Sequence, residues 1–205
     1  EAEARGAAKA ALAGVEGVLR FSVVAWAHLI AGDDWQQPIA DVAGKSSHLS
    51  FGDWRRAFTE LPARHAANHE ALGRASGRLR QSRVGPPLDR VVGLRNDIDH
   101  PDRAPWGRVR LEAPEVLGNI IRSLRAANDK GALPRVLQPS TETRDPYGRI
   151  TLRLVGYGGR STEFLMTRPS DLTIPIVYFP GESNPREVHP ASLPAPDVQE
   201  RAGLY

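Results

Sequence analysis

The sequence contains no cysteine. That excludes a disulfide framework and any thiolate nucleophile or thiolate metal ligand, and it fits a reducing compartment, so a cytoplasmic location is expected. Lysine is scarce as well, standing only at Lys9, Lys45 and Lys130, so nearly all the positive charge is arginine. A formal net charge of +3 over 205 residues excludes a chain that is basic throughout; contact with nucleic acid would need a local patch. The densest group of cations is Arg74, Arg78, Arg80, Arg83 and Arg90, which reads as solvated loop and helix-face arginines ahead of phosphate contacts. No apolar run approaches the roughly 20 residues of a membrane span. The longest, FSVVAWAHLIAG, carries His28 and follows a charged Ala-rich segment, so neither a secretory signal nor a membrane partner is expected. The only methionine is Met166 and residue 1 is Glu1, so the sequence is expected to be part of a longer protein.

Up to residue 131 the pattern is helical. Val15, Val18, Leu19, Val23, Trp26 and Ile30 recur at helical spacing within residues 2–31. Residues 32–49 read as a loop. Ser50 is placed to cap a helix whose Phe51, Trp54, Phe58 and Leu61 form a stripe. From Pro62 to about Arg80 the chain is polar, Ala-rich and helical in part. Pro86 and Pro87 suit the first turn of another helix, which Pro101 stops near Asp99. A loop with Trp106 follows, then a last helix over about 114–129 with Val116, Leu117, Ile120, Ile121 and Leu124 inward. Beyond it the period changes. RITLRLV alternates with Ile150, Leu152 and Leu154 on one face; GYGGR is a turn, STEFLMT a second strand, and LTIPIVYF a third whose proline suggests an edge. Residues 180–200 should be irregular. The expected fold is mainly α: a helical bundle over 1–131, with a small antiparallel β unit and Pro-rich tail over 132–205.

Few residues here suggest chemistry. GYGGR precedes no helix that could aim amides at a phosphate, so it reads as a hairpin turn. His65 and His69 have the spacing of two ligands to one metal, but Glu60, Glu70 and His48 complete no recognised set, and no metal or cofactor is expected. Trp106 could stack on a base or pack over a helix end. The stretch GLRNDIDHPDR is more informative. Arg95 falls on the helix side that carries Leu88, Val91, Val92, Ile98 and Asp99, and a guanidinium there must meet a carboxylate, a carbonyl or a ligand. Asn96 beside it and His100 at the broken helix end add two groups compatible with phosphate. Histidine also has a pKa suited to general acid–base work at neutral pH.

Arg95-Asn96-Asp97-Ile98-Asp99-His100 resembles the R-x(4–6)-H motif of the HEPN family, in which a polar residue often follows the Arg. The wider phrase LDRVVGLRNDIDHPD is similar to the pattern of its bacterial members. The resemblance covers about residues 5–130. It implies a helical bundle that forms a homodimer and acts as a metal-independent RNA endonuclease of a toxin or defence system, paired with an antitoxin or another effector domain. In such a site His100 would deprotonate a 2′-hydroxyl, Arg95 would hold the scissile phosphate, and Asn96 would orient either. Two departures stand out. Asp102 occupies the place where many such toxins have a tyrosine, and Asp99 replaces the usual small residue before the His. Arg64 and His69 match the same spacing in a segment without an apolar stripe.

Three readings therefore make different structural demands. A nuclease needs Arg95 and His100 exposed in a positive groove between two protomers. A non-catalytic HEPN-like module for dimerisation or nucleotide sensing has that groove closed or occupied. An unrelated scaffold would bond Arg95 to Asp99 and turn His100 away.

Overall fold

Helical spacing of the apolar residues builds the first two-thirds of the chain. The structure, a computed structural model, describes residues 2–100, 106–156, 164–168, 176–180 and 186–187. Among them are six α-helices: α1 (Ala2–Ala31), α2 (Gln36–Ala43), α3 (Phe51–Arg64), α4 (Glu70–Gln81), α5 (Gly85–Asp99) and α6 (Trp106–Asp129). Five strands follow, β1 (Arg135–Arg144), β2 (Ile150–Gly156), β3 (Phe164–Arg168), β4 (Ile176–Tyr178) and β5 (Arg186–Glu187), in one antiparallel sheet of order β3-β2-β1-β4-β5.

Leu19, Val23 and Trp26 of α1 lie at the centre of the bundle, fully buried together with Phe58 and Leu61 of α3. The rings of Trp26 and Phe58 meet at 5.2 Å between centroids. A helix as long and apolar as α1 could cross a membrane by composition alone, but most of its apolar window is buried against the rest of the protein. That is how a core helix behaves.

Several boundaries differ from those read off the sequence. Residues 32–49 are not all loop: a 3₁₀ turn, Gly32–Asp34, leads into α2, which buries Pro38, Ile39, Val42 and Ala43 and ends on Gly44. Pro62 starts nothing; it lies buried near the end of α3, where it forgoes the helix hydrogen bond to the Phe58 carbonyl and packing holds the helix through it. The last helix begins at Trp106 rather than near 114, carrying Pro114 within it. Ile121 faces solvent, 52 % exposed, instead of the core.

Strand β1 has no alternating signature, and its register with β2 breaks between Pro139 and Thr141. Alternation did identify β2, whose Ile150, Leu152 and Leu154 bury fully in a small core of the sheet. The strand that follows Pro175 is not an edge, since β4 pairs with β1 on one side and β5 on the other. The proposed GYGGR turn, from 157 on, and most of the irregular segment lie outside the described residues.

The sheet is tied to the bundle at β4. Val177 of β4 and Phe179 just after it join Ala132 and Leu133 in the helical core. At the end of α6, Gly131 adopts φ +71°, and a Cβ there would come within 3.0 Å of both Arg78 and Pro180. Its carbonyl accepts a 3.0 Å hydrogen bond from Arg78.

Ser50 caps α3 as its sequence suggests, in a capping box with Asp53. Lys45 pairs with the same carboxylate at 2.6 Å. Burial alone would raise the Asp53 pKa, but hydrogen bonds from Lys45 and Ser50 and the charge of Lys45 outweigh it and hold the group at about 2, below its ordinary 3.8. Because the folded value is depressed, this stabilisation is complete above pH ~4 and lost as pH falls toward 2. Urea unfolding between pH 5 and pH 2 should show it, with a shallower decline in Asp53→Asn.

Candidate functional site

On α1, Arg5, Lys9, Glu16 and Arg20 form a polar stripe that runs from its exposed first turns into its buried second half. Three of them meet α5, which runs antiparallel. Arg5 donates to the carbonyl of Ile98 at 3.2 Å, Lys9 pairs with Asp99 at 3.6 Å, and Glu16 meets Arg95. Glu16 is the hub. One carboxylate oxygen accepts from Arg20 at 2.5 Å and the other from Arg95 at 2.5 Å, and its side chain is only 13 % exposed.

Arg95 therefore stands where the sequence places it but in a different setting. The buried stripe of α5 is Leu88, Val91, Leu94 and Ile98; Arg95 lies at its edge, a third exposed, and not in its middle. Its Nη1 goes to Glu16, its Nε lies 3.5 Å from Asp99, and the guanidinium stacks over the Phe51 ring at 5.2 Å. Three contacts fix a group that carries five N–H donors, so the remaining donors keep a defined direction.

Arg95 and Asn96 line a cavity of 270 Å³ with Ser50, Phe51, Gly52 and Val92, between the start of α3 and the end of α5. His100 is not in its lining. It is the exposed C-terminal cap of α5, with its backbone N–H bonded to the carbonyl of Asn96 at 2.9 Å. The structure thus brings Arg95 and Asn96 together and leaves His100 outside on the same helix end; Arg95 beside Asp99 with His100 outside the cavity is the arrangement the unrelated-scaffold reading demands.

The rival spacing has a different fate. Arg64 pairs with Glu60 at 2.7 Å, and His65 and His69 belong to no common helix, since His65 ends α3 and His69 begins α4. Burial, then the charges of His69 and Arg64, lower the pKa of His65. Among the described residues no group of three or more His, Asp or Glu side chains is placed to hold a metal ion.

The arginine cluster is dispersed rather than pooled: Arg74 pairs with Glu70, Arg78 with the Gly131 carbonyl, and Arg90 with Glu115. Trp106 opens α6, packed against the core under the guanidinium of Arg5 at 5.5 Å. It is not a loop residue free to stack on a base.

Glu16 and Arg20 were missed by a sequence reading that followed only the apolar stripe of α1. The signal was present: a carboxylate and a guanidinium at i, i+4 inside the most apolar helix of the chain. Such a pair needs a third partner if it is not simply facing water. No family model, curated protein or solved structure matches this chain.

Proposed function

We propose that the helical part is a HEPN-like, metal-independent RNA endonuclease of a bacterial toxin or defence system, working in the cytoplasm as a homodimer. The observation that supports this best is the two-sided hold on Arg95, which keeps one edge of a guanidinium fixed beside Asn96 in a cavity. An oriented cation of this kind suits a scissile phosphate, because it needs no reorganisation as charge develops.

His100, exposed at the helix end, takes the proton of the RNA 2′-hydroxyl. The 2′-oxygen attacks the adjacent phosphorus, the bond to the 5′-oxygen breaks, that oxygen leaves as a hydroxyl with a proton taken from water, and a 2′,3′-cyclic phosphate remains. Arg95 holds the non-bridging oxygens and Asn96 orients them. A second copy sets the two helix ends across one groove, and an antitoxin or an attached effector domain restrains the activity.

A second reading draws on the carboxylates. Glu16 and Asp99 both contact Arg95, and Asp97 stands beside Asn96. Their charge disfavours RNA phosphate and suits a non-catalytic HEPN-like module for dimerisation or nucleotide sensing in a larger protein.

Incubation of the protein in EDTA with an RNA and with its 2′-O-methyl counterpart separates the two. The nuclease should cut only the RNA, leaving cyclic phosphate ends. Cleavage of the 2′-O-methyl strand, or cleavage that requires a divalent metal, would overturn the mechanism. A folded dimer that cuts neither strand favours the second reading.

A further inference from the structure

A second cavity lies apart from the one beside Arg95. It measures 460 Å³, within the range of small-molecule sites, and lies between α1, α2, the α2–α3 loop and the start of α3. Arg20, Lys45, Ser46 and Ser47 supply its polar wall; Trp35 and Trp54 supply aromatic surface, with Ile39 and Leu49 beside them.

The polar groups here are only partly satisfied. Lys45 gives one contact to Asp53, at 2.6 Å, and its half-exposed ammonium keeps its other donors for water or a ligand. Arg20 gives Nη2 to Glu16, while its Nε is buried without a hydrogen-bond partner. The indole N–H of Trp54 is also buried without a partner among the described residues, beneath the Arg20 guanidinium at 5.3 Å. Such unmet donors are costly unless something accepts from them. His48, in the same wall, holds φ at +52°, a conformation uncommon outside glycine that tends to collect at ligand clamps.

Two cations held in place by carboxylates outside the lining, next to two serine hydroxyls, form a receptor for a compact dianion. Two indoles beside them offer faces to a planar ring. We propose that this cavity binds a nucleoside monophosphate, the phosphate on Lys45, Arg20, Ser46 and Ser47 and the base against the tryptophans. The cavity is separate from the one at Arg95, so its test and the RNA-cleavage test can fail independently.

The test uses tryptophan fluorescence of the whole chain, titrated with AMP, GMP, CMP and UMP, with adenosine and inorganic phosphate as comparison probes. At least one monophosphate should change the emission saturably, and phosphate alone should compete with it. Lys45→Ala, at an exposed side chain, should weaken binding about tenfold, the cost of a charge-assisted hydrogen bond. Ala40→Phe, which fills the cavity from α2, should abolish it while circular dichroism stays unchanged. The site is overturned if no monophosphate binds at millimolar concentration, or if binding survives both variants. Equal binding of adenosine would overturn the phosphate assignment.

Discussion

Alanine at Arg95 is expected to lower RNA cleavage about 10²–10³-fold, the usual cost of removing one preorganised donor from a developing oxyanion. The loss should fall on kcat, because the contact tightens as charge builds on the phosphate. Stability should change little. Arg95 is a third exposed, Glu16 keeps Arg20 as its partner, and a pair this accessible contributes no more than about 1 kcal/mol. Single-turnover cleavage and a urea titration of the same preparation read the two effects separately. A variant that loses activity only because it unfolds would count against a role at the phosphate.

Glu16→Ala should have the larger effect on the fold and a different effect on the reaction. Its side chain is nearly covered and receives both Arg20 and Arg95. Without it two guanidinium groups face each other with no shared carboxylate. Removing one partner of a fully buried pair costs about 3–5 kcal/mol; because both arginines are about a third exposed here, about 1–3 kcal/mol is expected. If Glu16 positions Arg95, kcat drops about tenfold from lost orientation, while KM falls because a repelling carboxylate is gone. A rise in kcat would mean that Glu16 masks Arg95, which is what a non-catalytic or restrained module requires. Glu16→Gln, which keeps the acceptor and removes the charge, should recover most of the stability.

Much of the bundle was legible because its core positions repeat every three or four residues. Val15, Leu19, Val23 and Trp26, then Phe51, Phe58 and Leu61, are buried as that period requires. The capping box at Ser50 and the proline start of α5 followed from local chemistry alone. Helix α2 was hidden because its eight residues, QQPIADVA, are too short to show a period. Strand β1 was hidden because Pro139 and a register break interrupt its alternation. Proline misled twice, at Pro62 and Pro114, where tertiary packing holds the helix through the residue.

The candidate site was legible in part, for a plain physical reason. Spacing along α5 could single out Arg95, Asn96 and His100, since all three sit on one local segment. What neutralises Arg95 comes from Glu16, 79 residues earlier, and no local pattern encodes that pairing. Leu94, not Arg95, completes the buried stripe, so the puzzle of an arginine in mid-core dissolves into one of an arginine at its rim.

Cleavage of total RNA by the purified protein in EDTA, beside His100→Ala, tests the central claim most directly. The unaltered protein should leave cyclic phosphate ends, and the variant should lose about 10²–10⁴-fold in rate, the usual worth of a general base. Equal cleavage by the two proteins would contradict it, because His100 could then not be the residue that activates the 2′-hydroxyl.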